Sequence, residues 1–254
     1  MKKDTTWEKV AQWYDNHLEG GDTYHENVVG PQLIRMIGDF TDKTIVDVAC
    51  GQGYITRLLA QNSKKVFGVE PSKSLLEYAK KKGPKSITYY QSTADRLLFF
   101  TKQSIDLVTC VLALSNIENY RQSIKEMARI LKDDGTIYLV INHPAFRIPK
   151  QSSWGFDEEQ KIQYRRVDAY LSSMKTKIDM NPGEKNLKQK EYTYSFHRSL
   201  QDYMKAFENA SLGIMRIEEW ISHRESNQGP RKKAEDNARK EFPLFMAIAL
   251  KKIR

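Results

Sequence analysis

Short apolar runs alternate with amphipathic stretches along residues 44–143. The run TIVDV at 44–48 is apolar apart from one acid, which is typical of a buried strand. In the next stretch, YITRLLAQN at 54–62, apolar residues recur at the spacing of a helix. The alternation continues, and it predicts further strands at 65–70, 86–91, 105–111 and 136–141 and helices at 72–82 and 120–132.

Strands that alternate with helices form a parallel sheet covered by helices on both faces. The rhythm breaks at residues 145–198, which mix aromatic, basic and polar side chains, and it resumes with a helix at 199–210. Ser199 and Asp202 have the spacing of a capping box at the start of that helix. The remaining elements expected are strands at 213–220 and 242–250 and an N-terminal helical segment, 1–40, that carries Trp7, Trp13 and Tyr14.

The composition narrows the class of protein. With 254 residues, 40% hydrophobic and 29% charged, the chain has the size and core of a single α/β domain, 1–254, with an insertion. Cys50 and Cys110 lie inside apolar runs, which argues against a disulfide framework and against a cysteine zinc cluster. The first residues do not resemble a signal peptide and no apolar run could span a bilayer, so we expect a soluble cytoplasmic protein. The net charge of +9 is scattered, which favours a solvated surface over a nucleic-acid site.

The stretch DVACGQG, residues 47–53, follows the first strand and carries the clearest chemical signal. Gly51 and Gly53 let a ligand approach the backbone, and the helix that follows directs free N–H groups at the same place. Glu70 ends the second strand 19 positions after Gly51, where it can accept hydrogen bonds from ribose hydroxyls. The alternative is a tight strand–helix turn with a solvent-facing Glu70. The combination of features favours a cofactor that contains a nucleoside.

The pattern does not fit the dinucleotide-binding motif G-x-G-x-x-G, because the position of the third glycine, counted from Gly51, is occupied by Thr56. It resembles instead the first motif of the class I S-adenosylmethionine-dependent methyltransferases, D-x-G-x-G-x-G, with Ala49 in place of the first glycine. The resemblance continues through residues 93–99, 104–119 and 127–140. In these stretches the sequence is similar to the core of quinone-biosynthesis methyltransferases. The resemblance implies a Rossmann-like doubly wound sheet, mostly parallel with an antiparallel last strand, and S-adenosyl-L-methionine as the cofactor. An alanine at position 49 is expected to take φ below zero and to alter the backbone path.

The resemblance also implies roles for individual residues. Asp47 would hold the turn and face the amino group of the cofactor, Glu70 would bind the ribose, and Asp95 or Thr93 would bind the adenine amine. Tyr14 matches a position where relatives place an aromatic ring near the sulfonium, although plain helix packing explains it equally well. The cofactor site implied in this way consists of Tyr14, Asp47, Ala49, Cys50, Gly51, Gly53, Glu70, Pro71, Thr93, Ala94, Asp95, Val111 and Leu112.

Methyl transfer from a sulfonium needs alignment of nucleophile, methyl and sulfur, and it needs a general base only where the acceptor loses a proton. His143, directly after the fifth strand, is the first candidate for that base, and His25 and His197 are the alternatives. His143 could instead bond to the backbone and fix the turn at Pro144. No histidine–carboxylate spacing indicates a metal site.

Residues 145–198 start at the mouth of the expected cofactor site, so we interpret them as a lid over the acceptor. Their aromatic and basic side chains suit a planar or anionic small molecule, although they also suit an exposed RNA base or a self-packed cluster. The function expected is methyl transfer to a small molecule; the alternatives are an RNA methyltransferase and a non-catalytic, cofactor-binding regulatory protein. The sequence leaves the oligomeric state open. The acceptor residues expected are Trp154, Tyr164, Arg165 and Arg198, and the polar stretch 181–190 is expected to be mobile.

Overall fold

The computed structural model describes residues 6–180 and 192–253. Its centre is a seven-stranded sheet with the strand order β10-β11-β5-β4-β1-β2-β3. The strands of this sheet are β1 (Thr44–Val48), β2 (Lys65–Glu70), β3 (Thr88–Gln91), β4 (Ile105–Val111), β5 (Leu131–Asn142), β10 (Leu212–Trp220) and β11 (Phe245–Lys252). The helices are α1 (Ala11–Glu19), α2 (Gly30–Ile37), α3 (Tyr54–Leu59), α4 (Lys73–Lys82), α5 (Tyr120–Ile130), α6 (Leu200–Glu208) and α7 (Lys232–Glu241), with a π-helical turn at His25–Val29 and 3₁₀ turns at Thr6–Glu8 and Leu114–Asn116.

The direction of the strands follows the expected scheme. Strand β1 pairs in parallel with β2 on one side and with β4 on the other, and β4 pairs in parallel with β5. The last strand, β11, is antiparallel to both of its neighbours, β5 and β10. The expectation of a mostly parallel sheet with an antiparallel last strand is therefore confirmed. The chain leaves β1 toward β2 and later returns to β1's other side at β4, so a ligand crevice is expected beyond the carboxyl ends of these two strands.

The sheet is buried on both faces because its side chains alternate between two apolar cores. In β1, Val46 and Val48 pack into the core formed with α5 and α6, whereas Ile45 packs into the core formed with α2 and α3. In α5 the apolar residues recur at helical spacing, and Ile124 and Met127 are fully buried. The capping box is present as well, since the Ser199 side chain accepts from the Asp202 backbone N–H and the Asp202 carboxylate accepts from the Ser199 N–H.

The sequence pattern did not predict α7. Only Ala238 is buried among its residues, so the sequence of this helix shows almost no apolar periodicity. Strand β5 begins at Leu131, earlier than the expected 136, because pairing with β4 already starts at Leu131.

The insertion at 145–198 forms two antiparallel hairpins. Strands β6 (Ser152–Asp157) and β7 (Ile162–Val167) pair with each other, as do β8 (Met174–Asp179) and β9 (Tyr192–His197). The first hairpin packs against α7, and the second lies against the two 3₁₀ turns. The stretch 181–190, expected to be mobile, lies outside the described residues. Across 6–180 and 192–253, none of the helices combines the length and the apolar character needed to cross a membrane.

Candidate functional site

A cavity of about 450 Å³ opens at the carboxyl ends of β1, β2 and β4, the place expected from the strand order. A smaller cavity of about 30 Å³ lies beside it, and both are lined by Tyr14, Ala49, Gly51 and Val111. The main cavity also brings together several other residues that the sequence indicated for the cofactor. These are Glu70, Pro71, Thr93, Ala94, Asp95 and Leu112.

The turn after β1 has an unusual backbone. Ala49, Gly51 and Gly53 all lie in the left-handed region, with φ of 58°, 57° and 80°. The expectation that Ala49 takes φ below zero is therefore wrong: the alanine adopts a left-handed conformation that glycine adopts readily. A left-handed conformation costs a residue with a Cβ about 1–2 kcal/mol, so the surrounding contacts hold this turn in place.

Gly53 lines neither cavity, although the sequence placed it in the cofactor site. A Cβ at this position would lie 2.9 Å from the Tyr89 hydroxyl and 3.0 Å from the Ala79 Cβ. Gly53 therefore allows the turn to pack closely against α4 and β3, which supports the cavity wall from behind.

Asp47 is buried behind the turn and lines the small cavity. Its carboxylate accepts hydrogen bonds from the Thr56 hydroxyl at 2.6 Å and from the Thr109 hydroxyl at 2.8 Å. Burial raises the pKa of Asp47 to about 6, although both hydroxyls work in the opposite direction. These bonds connect β1, α3 and β4, so the carboxylate serves the framework that holds the turn.

Glu70 is also buried, but it lines the main cavity. Its Oε2 accepts the Gly51 N–H at 3.1 Å, and its Oε1 accepts the Ser72 N–H at 3.0 Å. Burial raises the pKa of Glu70 to about 7. With one N–H on each oxygen, the carboxylate keeps further lone pairs for a ligand in the cavity. The solvent-facing alternative for Glu70 does not match this geometry.

The far wall of the cavity comes from the ends of β3 and β4. Thr93, Ala94 and Asp95 line one side, and the Asn119 side-chain amide donates to the Asp95 carboxylate at 2.9 Å. On the other side Leu112 has a φ of 52°, and its N–H donates to the Val140 carbonyl at 2.7 Å.

Two residues of the N-terminal segment, Trp7 and Tyr14, form part of the cavity wall. Tyr14 lies edge-on to Trp7, with ring centroids 5.3 Å apart, and its hydroxyl lies 3.4 Å from His25 Nε2. Burial lowers the pKa of His25 to about 4, so this imidazole is neutral near pH 7. His25 begins the π-helical turn and lines the small cavity. Such turns are frequent at functional sites.

The other two candidate histidines do not line either cavity. In His143, Nδ1 accepts the Ala145 N–H at 3.2 Å and Nε2 donates to Glu219 at 2.7 Å. The physical reason is that β4 separates β5 from β1, and that the end of β5 pairs with β11, where Glu219 of the next strand, β10, bonds to His143. His197 Nε2 donates to the Tyr170 carbonyl at 2.7 Å within the insertion. The geometry of His143 matches the alternative in which it fixes the turn at Pro144.

The acceptor residues expected from the sequence do not line the cavity either. The Arg165 guanidinium stacks 5.0 Å from the Trp154 ring centre, and Trp154 packs on Phe242 of the segment after α7. Tyr164 covers Gly155 on the paired strand. Trp154, Tyr164 and Arg165 therefore belong to the self-packed cluster that the sequence left as an alternative.

Arg198 has an indirect place in the site. It is buried and donates to the carbonyls of Leu114 at 2.9 Å, Ile117 at 2.6 Å and Glu118 at 3.2 Å. It thereby holds the segment after β4, which lines the cavity.

Several lining residues were missed by sequence reasoning. Asn116, Ile117 and Glu118 stand within 104–119, a stretch already included in the resemblance, so that signal could have found them. Tyr194 and Phe196 belong to the aromatic residues of 145–198 that were expected to form the acceptor pocket, but only the folding of the second hairpin over the cavity selects them from that set. The others missed are Trp7, Leu75, Ala113 and Lys175. In the two described ranges no three His, Cys, Asp or Glu side chains are grouped as a metal ion would need.

Comparison with known proteins agrees with this geometry. A family profile described as "Methyltransferase domain" matches residues 46–139. The demethylmenaquinone methyltransferase of Lactococcus lactis is 35% identical over 129 residues, which cover 48% of this chain and 51% of that protein. The chain thus spans about half the length of the curated relatives it matches.

Two solved structures show the same fold. An S-adenosylmethionine-dependent methyltransferase from Mesorhizobium loti superposes with a TM-score of 0.67 at 23% identity, covering 87% of this chain and 95% of that one. The complex of DhpI with SAH gives a TM-score of 0.59 at 12% identity, covering 97% and 93%. Together, these findings show that residues 46–139 match a methyltransferase domain and that the chain has the fold of S-adenosylmethionine-dependent methyltransferases.

Proposed function

We propose that the protein transfers a methyl group from S-adenosyl-L-methionine to a small-molecule acceptor in the main cavity. The observation that carries this proposal is Glu70, a buried carboxylate that lines the cavity beside the left-handed turn. A nucleoside with two neighbouring hydroxyls supplies the donors that such a carboxylate accepts. Aromatic side chains line the opposite side of the same cavity, where the second ligand, the acceptor, would bind.

The residues present fit the cofactor. Glu70 would accept from the ribose, and Thr93, Ala94 and Asp95 would surround the adenine between Pro71 and Leu112. The turn at Ala49 and Gly51 would pass under the methionine part. When bound, the cofactor supplies a methyl group that its sulfonium already activates. The main task of the protein is therefore to align the acceptor and to exclude water.

The acceptor half of the cavity is lined by Trp7, Tyr14, Tyr194, Phe196 and Lys175. The Lys175 ammonium lies 4.7 Å from the Tyr194 ring centre and forms an ion pair with Glu118 at 3.3 Å. Aromatic rings around one cation suit a planar small molecule that carries a polar or anionic group. The relative from L. lactis, named as a demethylmenaquinone methyltransferase, is consistent with a ring-shaped acceptor.

Where the acceptor must lose a proton, His25 is the candidate base. It lines the small cavity and contacts the hydroxyl of Tyr14, a residue that lines both cavities. The proton of the acceptor would pass to the Tyr14 oxygen while the hydroxyl proton of Tyr14 passes to His25 Nε2. His25 would gain one positive charge in this way, and the cofactor would lose one on giving up its methyl group, so the net charge of the buried site would stay the same.

The experiment that tests the proposal is ligand binding followed by turnover. S-adenosylhomocysteine should raise the melting temperature of the protein, whereas NAD should not. Gly51→Val should abolish the shift, because valine strains a backbone at φ 57° and places a branched side chain beside the ligand. Gly229→Val, at a glycine with nothing near its Cβ position, serves as the control.

Turnover then separates the alternatives. Mass spectrometry of a panel of hydroxylated quinones and phenols should show a mass gain of one methyl group. Methylation of RNA with affinity that falls steeply with salt would point to the RNA alternative. Binding of S-adenosylhomocysteine without turnover on either class would favour the regulatory protein, and a melting shift with NAD alone would overturn the proposal.

A further inference from the structure

The turn Thr6–Glu8, here called the strap, lies over the main cavity ahead of α1. Trp7 of the strap lines the cavity and contacts Tyr14 edge-on. The strap also packs against β9, the strand that carries Tyr194 and Phe196. The strap therefore touches the acceptor half of the site, and its Glu8 also reaches the start of α4, beside the cofactor half.

Glu8 fixes the strap to the start of α4. The Ser72 hydroxyl donates to Glu8 Oε2 at 2.7 Å, and the Ser74 hydroxyl donates to Oε1 at 2.6 Å. The Ser74 N–H lies 3.3 Å from both oxygens. A carboxylate at a helix N-terminus is also favoured by the helix dipole. Partial burial raises the pKa of Glu8, but the bonds from Ser74 and Ser72 outweigh it and hold that pKa below its usual range.

Ser72 connects this contact to the cofactor site. Its hydroxyl caps α4 by accepting the Leu75 N–H at 3.2 Å, while its own N–H donates to Glu70 Oε1 at 3.0 Å. One residue thus bonds both to the carboxylate that holds the strap and to the carboxylate that faces the cavity. The position of the strap and the orientation of Glu70 are tied to the same turn.

We propose that Glu8 is a positioning residue for the cofactor, which holds the strap closed over the site through Ser72 and Ser74. The inference rests on the proposed function, since it concerns exchange of the same cofactor. A ligand beneath Trp7 leaves only after the strap lifts, and lifting the strap breaks the bonds of Glu8. Removal of these bonds speeds cofactor release, and the side chains that touch the ligand stay unchanged.

The test measures release of S-adenosylhomocysteine by stopped-flow tryptophan fluorescence, with excess S-adenosylmethionine as the chase. Glu8→Gln keeps the shape of the side chain but removes its charge and one acceptor oxygen. We expect the dissociation rate to rise about tenfold, which corresponds to about 1.4 kcal/mol. Ser74→Ala should have a similar effect, and the double variant should add little, because both changes break one contact.

Glu77→Gln is the matched control. Glu77 lies on the same helix, is largely exposed and pairs only loosely with Lys73, at 3.7 Å. This variant should release the ligand at the wild-type rate. A melting temperature of the ligand-free Glu8→Gln protein close to that of the wild type would show that the fold is intact.

Two results would overturn the inference, and they can be told apart. If the wild type binds S-adenosylhomocysteine but Glu8→Gln and Ser74→Ala release it at an unchanged rate, the strap does not control exchange. If the wild type fails to bind the ligand at all, the proposed function is wrong and this inference is wrong with it.

Discussion

At the scale of single residues, the hydrogen bonds that a buried group already makes within the protein, rather than its position along the chain, decide whether it can bind a ligand. Glu70 is the last residue of β2 and His143 directly follows β5, yet only Glu70 has capacity left for a ligand in the cavity. Both ring nitrogens of His143 are already bonded to the protein. Ala49 shows the same dependence on surroundings, because its neighbours impose a backbone that alanine alone does not favour.

The raised pKa of Glu70 gives a pH dependence with a definite sign. Because its pKa is about 7 in the folded protein and 4.5 in the reference state, ionising it costs stability as the pH rises through this window. The ligand-free protein should therefore lose stability from pH 4.5 to 7 and lose no more, on this account, above 7. Cofactor binding uses the ionised form, so it should weaken as the pH falls.

We expect the dissociation constant of S-adenosylhomocysteine to rise about tenfold from pH 8 to pH 6, one pH unit on either side of this pKa. Glu70→Gln should weaken binding about tenfold or more at pH 8 through loss of charge-assisted hydrogen bonds, and should remove the pH dependence. Isothermal calorimetry measures both. An unchanged constant in the variant would contradict the role of Glu70, and a pH dependence that persists would point to Asp47 instead.

The role of His25 as the general base can be tested directly against the same role for His143. His25→Gln should lower kcat for a hydroxylated acceptor by about a hundredfold, within the range of general-base catalysis, and leave the affinity for S-adenosylhomocysteine unchanged. Since the pKa of His25 is about 4, its charge should not change the rate between pH 6 and 8. His143→Gln is the comparison: if it, rather than His25→Gln, lowers kcat, the base is misassigned.

At the scale of elements, the two hairpins of the insertion differ although their sequences have the same character. Hairpin β6–β7 packs against α7, whereas hairpin β8–β9 lies against the turn Leu114–Asn116 and lines the cavity. Both carry a partly exposed tyrosine, Tyr164 on the first and Tyr194 on the second. Composition could not choose between them. The choice depends on which hairpin reaches the end of β4.

The two tyrosines provide a matched test. Tyr194→Ala should raise KM for the acceptor about tenfold, roughly the loss of one aromatic contact, without a change in cofactor affinity. Tyr164→Ala should leave both constants unchanged. Steady-state kinetics with an acceptor that the wild type methylates gives the comparison. If Tyr164→Ala raised the KM for the acceptor more than Tyr194→Ala did, the acceptor site would lie at the first hairpin.

At the scale of the whole molecule, the electrostatics of the site differ from those of the surface. The chain carries a net charge of +9, yet the described residues that line the main cavity include three acids, Glu70, Asp95 and Glu118, and one cation, Lys175. Local charge acts more strongly than distant charge because salt screens interactions beyond about 8–10 Å. A cationic sulfonium therefore meets an acidic pocket within a basic protein.

The sequence by itself determined the elements of the core and the turn that joins them. Strand β1, strand β4 and the acid–glycine turn were predictable because hydrophobic periodicity and glycine content are local properties. Glu70 was predictable for a related reason: it ends the strand adjacent to β1, at a fixed distance along the chain.

Only the tertiary structure decided which residues close the site. Trp7 and Tyr194 line the main cavity and His25 lines the small cavity beside it, and no local pattern in the sequence indicates that these distant segments meet. Their positions follow from the packing of the strap on α4 and β9, of the second hairpin on the turn Leu114–Asn116, and of the His25 ring against Tyr54. His143 was misplaced for the same reason, because the antiparallel pairing of β11 with β5 gives that strand end neighbours that its own sequence does not reveal.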